Sequence, residues 1–439
     1  MAYMDLIIKH RLKFFILSLL VIGFVIIKLM PSFIFKSVLS ANEGIGYSAV
    51  VSALSKAGNY IESETEPGSL DRAQGYRYAL RRIEQWNGVF MSDHNALTPT
   101  ISRCPSRLCK YGFDNPDAVY QTVGPVSSKY QYRVFGQKGN VSYITYQLFN
   151  IGPDGFGTSD TMESDALVYD DNGGYEIFLG AENLDNHPNF LQLPEQGGAG
   201  QLVIRSLIKD WNNEIEPTLN VEVLGLDKGV PATSTPLNMK MFDPRALGLG
   251  RIIENNIKAW REKIMNAPAN SMPMPTAAKS GGSGGFITNH TAVMRFEVEP
   301  DEAVLIEVQK ADVVYSNIQL SNMWGESLDY GSHLVSFNDA QAYLDADNVF
   351  RYVLAHKDPG VPNWLDTVGH SIGGVFVRFQ SPKEELTQPA VKLVSFSDLK
   401  QYLPPDHPTV TPAQRAETIR ARLSGLNRKK NPVYNRDIK

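Results

Sequence analysis

Two short stretches in the last third of the chain gather side chains that can do chemistry. In Asn363-Trp364-Leu365-Asp366, followed by His370, a carboxylate and an imidazole lie close together in sequence. A carboxylate that orients an imidazole is the acid–base pair of many hydrolytic sites. With His356 or His333 the same side chains would make a metal set, but no His-x-x-x-His or comparable spacing occurs and no metal is expected. In Trp324-Gly325-Glu326-Ser327-Leu328-Asp329-Tyr330, Glu326 and Asp329 are carboxylates of the kind that cleave glycosidic bonds, provided the fold sets their separation. Trp324 and Tyr330 would stack on sugar rings, with Asn363, Trp364 and His356 as further ligand contacts. The commoner use of these residue types is structural. Asn363, Asp366 and Thr367 fix turns through side-chain-to-backbone bonds, Trp364 fills core, and Glu326 and Asp329 cap a loop.

Other motifs point away from familiar chemistries. Ser327 and Ser371 stand outside any Gly-x-Ser-x-Gly string, so neither has the context of a nucleophile elbow. Gly281 to Gly285 lacks the Lys-Ser/Thr and the preceding strand of a phosphate loop. No cofactor is implied. Asp114-Asn115-Pro116-Asp117 reads as a proline turn. The two cysteines, Cys104 and Cys109, are too few for a structural zinc site and suit one local disulfide in an oxidising space. A net charge of −5 and a pI near 6.0 provide no clustered positive face, which excludes nucleic acid as the expected partner.

The elements that must position these residues are mostly strands. Apolar positions Leu70, Tyr76, Leu80, Ile83, Trp86 and Phe90 recur at helical spacing and predict an amphipathic helix over 69–94. Alternation then takes over: Tyr130, Tyr132 and Val134 against Val141, Tyr143 and Thr145 predict a hairpin around Gly136 to Asn140. Further strands are expected at 166–169, 175–179, 202–207 and 219–224, with Asp171-Asn172-Gly173-Gly174 as a tight turn. Asp243-Pro244 opens a second helix. Residues 266–285, rich in Pro, Ala, Ser and Gly, read as a flexible connector. Strands return at 292–298, 303–308, 313–320, 350–354 and 374–379. Thr411-Pro412 caps a last helix bearing Arg415, Arg420 and Arg422 in a Pro-rich, basic tail, a solvated end or a contact for acidic headgroups.

The fold class expected is mainly β with helical additions, a β-sandwich or jelly-roll-like body preceded by one N-terminal transmembrane helix. The uncharged run from Phe14 to Ile27, extended past Lys28 to Phe35, comes close to the roughly 20 residues that cross a bilayer. A cleaved signal peptide is the competing reading, without an Ala-x-Ala site to support it. Lys9, Arg11 and Lys13 before the run put the N-terminus in the cytoplasm and the body in the periplasm or outside the cell. The domain divisions are 1–37 (stub and anchor), 38–265 (helix plus β-rich domain), 266–285 (connector), 286–385 (second β-rich domain) and 386–439 (tail).

Ser316 to Tyr330 and Val353 to His370 resemble the bacterial family catalogued as domain of unknown function 1214. Asp114 to Asp117, Arg205 with Asp210-Trp211, and the tail helix Pro412 to Leu423 are similar to its longer members. The resemblance implies a β-rich fold and no established activity. Gly325 stands where the family often carries a second Trp, which removes a paired-indole contact. Three readings of function remain. One is an envelope binding module that holds a glycan or apolar ligand in loops at one end of a sandwich. Another is a hydrolase or lyase-like enzyme using His370, Asp366 and Glu326. A structural subunit of an envelope assembly is the third reading.

Overall fold

The computed structural model describes residues 44–104, 110, 112–152, 155–194, 200–226, 232–277 and 288–430. They form four antiparallel-dominated sheets and a layer of helices. Sheet I runs β1 (Thr100–Arg103), β2 (Ala118–Val126), β8 (Gly200–Leu207), β4 (Tyr143–Gly152), β5 (Gly155–Glu163). Sheet II runs β7 (Phe190–Gln192), β6 (Gly174–Gly180), β3 (Gln131–Gln137), β9 (Asn220–Leu224). Val123, Ile144, Tyr146, Leu148, Leu202 and Ile204 of sheet I interleave with Tyr132, Val134, Ile177 and Leu179 of sheet II, all of them buried. Alternating inward residues are what a sandwich requires.

The second sandwich repeats the plan. Sheet III runs β10 (Thr276–Ala277), β11 (Asn289–Glu297), β17 (Ile372–Gln380), β13 (Tyr315–Ser321), β14 (Ser336–Asn338). Sheet IV runs β16 (Trp364–Asp366), β15 (Val349–Ala355), β12 (Glu302–Gln309), β18 (Ala390–Ser395), with a short 3-10 turn at Phe396–Tyr402. Their core takes Met294, Phe296, Ile318, Leu320, Val375 and Val377 from one sheet and Val304, Ile306, Phe350, Tyr352 and Leu354 from the other. Val119, Ile208 and Trp211 of the first half enter this same cluster, so the two sandwiches share buried surface.

Helices α1 (Ile45–Ser63), α2 (Leu70–Phe90) and α3 (Met239–Met265) pack together against the second sandwich, and α4 (Pro412–Lys430) is the last described element. Ser69 caps α2 by accepting from the Arg72 amide. The α1–α3 contact is built from small residues: Gly46 meets Ala246, and the Gly46 amide donates to Asp243 Oδ1 at 2.9 Å.

Several expectations are corrected. The fold is two sandwiches sharing buried surface rather than one sandwich body. Among the described residues no helix is long and apolar enough to cross a membrane, and the 14–35 stretch lies outside them. β3 and β4 do not form a hairpin: β3 pairs with β6 and β9, β4 with β5 and β8, so the short link crosses from one sheet to the other. α3 starts at Met239, capped by Asn238, and contains Pro244. The described part of the expected connector is tied to β11: Pro268 O accepts from Arg295 N, and Asn270 brackets Glu297. The basic tail belongs to the body. Arg415 pairs with Asp358, Arg422 Nε donates to Tyr330 O at 2.6 Å, and Leu426 is buried in the main core.

Candidate functional site

His370 and Asp366, expected to pair, do not. Asp366 sits at the end of β16, where Oδ1 accepts from Val368 N at 2.8 Å and Oδ2 from His333 Nδ1 at 2.7 Å. His370 lies in the loop before β17 with its side chain fully covered and turns to α2: Nδ1 donates to Asp71 Oδ1 at 2.9 Å, and Nε2 accepts from Gln74 Nε2 at 2.9 Å. The carboxylate nearest in sequence is claimed by its own turn; the one that meets His370 comes from a helix about 300 residues earlier. His356 is elsewhere again, donating from Nε2 to Val298 O and accepting on Nδ1 from Thr367 Oγ1.

The His370 contact continues as a chain. Gln74 Oε1 accepts from Asn322 Nδ2 at 2.6 Å, and Asn322 Oδ1 accepts from the backbone amides of Trp324 and Glu326. Glu326 is fully buried and meets Arg81 at 2.7 Å and Arg77 at 3.6 Å. It is a charge held by two guanidiniums, and among the described residues no second carboxylate pairs with it across a cleft. Asp329, its expected partner, caps a turn through Gly331 N and Ser332; burial works against its charge, but those hydrogen bonds hold its carboxyl below the usual carboxylate range.

The aromatic platform expected for sugars is also spent. Trp324 is fully buried, donates to Asp71 O at 2.8 Å and fits against Gly75, where an added Cβ would lie 2.9 Å from the indole. Tyr330 is buried edge-on against Trp211, ring centroids 6.0 Å apart. Trp364 is half-buried and donates to Ala355 O at 3.0 Å. Asn363, at φ 52°, bridges Tyr343 and Arg351 backbone groups. Gly325 adopts φ 84° with the Trp260 Cβ 3.2 Å from where its own Cβ would be, so an indole there would be strained. Cys104 is disulfide-bonded; Cys109 lies outside the described residues. Among the described residues no group of His, Cys, Asp and Glu has the arrangement of a metal site.

The Asp114–Asp117 turn proves to be the bolt between the sandwiches. Asp114 accepts from Ser327 N and Oγ, Asp117 from Trp211 Nε1 at 2.7 Å, Asn338 Nδ2 at 3.1 Å and Tyr315 OH at 2.6 Å, and Asn115 from Asn317 at 3.2 Å. Beside it the buried Lys110 amine donates to Leu328 O and Ser327 Oγ; burial lowers its pKa to about 8. The strings at Ser316–Tyr330, Asp114–Asp117 and Trp211 thus meet in space as satisfied, buried structure.

Two regions outside those strings are not used up in this way. The first is a cavity of about 460 Å³ at one end of the second sandwich, between the β12–β13 loop and the loop after β14. Ala311, Val313, Leu344 and Phe350 make its apolar side, continuous with the main core. Lys310, Asp312 and Asp339 stand on its rim; Asp312 pairs with Lys383 and Asp339 with Lys209. The second is the outward face of sheet III near the end of α3, where Arg378 and Lys263 flank Phe113. Sequence reading passed over both. The signal for Arg378 was a charge inside Gly373-Gly374-Val375-Phe376-Val377-Arg378-Phe379, a strand otherwise written for burial.

No family model and no curated protein matches the chain. Among solved structures it is similar to an uncharacterised protein from Burkholderia cenocepacia, 24% identical, with 81% of this chain and 98% of that chain covered and a TM-score of 0.72. At that identity the likeness shows the fold alone. A protein from Vibrio parahaemolyticus, 10% identical over 78% of this chain and 98% of that chain, has a TM-score of 0.45 and carries no argument.

Proposed function

We propose that the chain is a ligand-binding protein that takes a small molecule with an apolar body and one polar group into the end of its second sandwich. The observation that carries this is the cavity of about 460 Å³ lined by Val313, Leu344 and Phe350 under a charged rim. Its size falls within the range of small-molecule sites, in which apolar walls supply affinity and a few polar groups fix orientation. The enzyme reading has less support. His370, Asp366 and Glu326 belong to separate contacts, each made to hold a turn or a helix. A glycan is less well supported than an apolar ligand, because Trp324 and Tyr330 are enclosed. The resemblance to the domain of unknown function 1214 fits this reading without supplying a ligand, and the bonded Cys104 supports a place in an oxidising compartment.

The test is a fluorescence titration with the apolar probe 1-anilinonaphthalene-8-sulfonate and with uncharged alkyl alcohols as competitors. Leu344→Trp, which fills the half-buried wall, should weaken binding at least about tenfold at an unchanged melting temperature. Equal affinity in the two proteins sinks the proposal.

A further inference from the structure

We infer that the outward face of sheet III beside the C-terminal end of α3 is a second ligand site, one for a small organic anion, a carboxylate or phosphate ester on an aromatic or apolar body. Arg378, at the centre of β17, is 6% exposed. Its guanidinium donates to Gln319 Oε1 at 2.6 Å, Asn317 Oδ1 at 3.4 Å and Phe113 O at 2.8 Å, all neutral acceptors, and its Nε–H has no acceptor among the described residues. The carboxylates that face it, Asp114 and Asp117, are turned to Ser327, Trp211, Asn338 and Tyr315. A guanidinium held away from water costs folding energy unless an anion answers it, and the protein supplies none in contact.

Lys263 adds a second positive charge to the same place. Its ammonium lies 4.8 Å from the Phe113 ring centre and 5.7 Å from that of Trp260, with no carboxylate partner among the described residues. Partial burial and then the like charge of Arg378 lower its pKa. The C-terminal turn of α3 accounts for one lysine there, since the helix end is negative. It does not account for a second, buried cation within electrostatic reach. Two like charges kept together with no carboxylate in contact among the described residues are the arrangement an anion completes, and a guanidinium with a spare N–H can add a directed bond.

The surface around the charges fits an apolar body. Phe113 packs on Phe376 with ring centroids 4.0 Å apart and meets Trp260 edge-on at 4.5 Å. On β11 the register partners of Phe376 and Arg378 are Val293 and Thr291, both only partly buried. An aromatic acid can lie over Val293 and the Phe113 edge with its anion between Lys263 and Arg378.

Calorimetric titration of the full chain at low salt tests this with benzoate, phenyl phosphate, inorganic phosphate and benzyl alcohol. Benzoate or phenyl phosphate should bind with one-to-one stoichiometry, the preferred one naming the anion. Affinity should fall at least about tenfold in Arg378→Gln and in the exposed charge reversal Lys263→Glu, which guards against a folding defect at the buried site. Leu344→Trp, in the other cavity, should leave this binding unchanged. Failure of both organic anions to bind the wild-type chain overturns the inference, as does binding that Lys263→Glu leaves intact. Benzyl alcohol binding as tightly as benzoate overturns the role of the charges, and inorganic phosphate binding as tightly as phenyl phosphate overturns the apolar half.

Discussion

Two charged clusters flank the helix layer and are built on opposite terms. At one, Glu326 is enclosed and answered by Arg81 and Arg77, while Asp71, His370, Gln74 and Asn322 carry the hydrogen bonding onward with partners at each step. At the other, Arg378 and Lys263 face each other's like charge and bond only to neutral groups and ring faces. The first cluster contains most of the residues that the sequence marks as chemical, yet its chemistry is internal: it docks α2 onto the second sandwich. The second contains residues without a motif and leaves charge unanswered. In a buried setting, whether polar groups are matched says more about their use than which residue types they are.

The sharpest way to break the comparison is to remove the central charge from each cluster. Glu326→Gln removes a fully buried carboxylate from the partly exposed Arg81 and the exposed Arg77, for which the expected loss is about 1.5 to 3 kcal/mol of unfolding free energy. Arg378→Gln removes a buried cation that no carboxylate contacts, along with its hydrogen bonds to neutral groups, and the two effects should offset to within about 1 kcal/mol. Urea denaturation of both variants reads the difference directly. Equal losses would mean that Arg378 is as fully satisfied as Glu326, and the contrast would fail.

How far the sequence reveals this architecture depends on what each signal measures. Alternation reports which face of a strand is buried, so β6, β8, β11, β12, β15 and β17 are visible in Tyr175–Leu179, Leu202–Leu207 and their counterparts. It says nothing about which strand pairs with which, and the β3–β4 link therefore reads as a hairpin although it joins two sheets. α1 escapes notice because its buried side is Gly46, Ala53, Ala57 and Ile61, three of which are too small to register as an apolar stripe. The partner of His370 is hidden for a different reason. Asp71 is about 300 residues away, whereas Asp366 is close in sequence and chemically equivalent. The tail's arginines read as solvated because burial of Arg415 and Arg422 is arranged by acceptors, Asp358 and Tyr330 O, that only the fold brings near.

A smaller effect places Lys110 between the two extremes, since backbone carbonyls and a serine answer its charge while Asp114 lies within electrostatic reach. Its folded pKa, lowered by burial to about 8, is below that of an unfolded lysine near 10.4. The unfolded chain therefore binds the proton more tightly. The penalty is fully present below pH 8, and stability gains as pH rises from about 8 to about 10.4, by up to ~3 kcal/mol from this group. Lys110→Met should flatten that rise in urea midpoints measured between pH 7.5 and 10 (an assay window of about two units around the folded value). A wild-type profile with the same slope as the variant would place Lys110 with the fully matched cluster.

The smallest change tests the docking of α2 without touching any charge. At Gly75 that helix packs tightly on α1 and on the loop after β13: a Cβ would lie 2.8 Å from Ile61 Cγ2 and 2.9 Å from the Trp324 indole, both fully buried. Neither neighbour is the free end of a flexible chain, and Trp324 is further fixed by its bond to Asp71 O. Alanine has the better helix propensity by about 1 kcal/mol, so an exposed site would gain from the change. Here overpacking of about 1 to 3 kcal/mol opposes that gain, giving an expected net loss of up to about 2 kcal/mol. Because the strain falls between α2 and Trp324, hydrogen exchange should quicken along α2 and in the Asn322–Glu326 loop while the first sandwich keeps its protection. If Gly75→Ala is as stable as wild type and exchange in α2 is unchanged, the matched cluster does not hold the helix, and Asp71, Gln74 and His370 are free to be considered for another role.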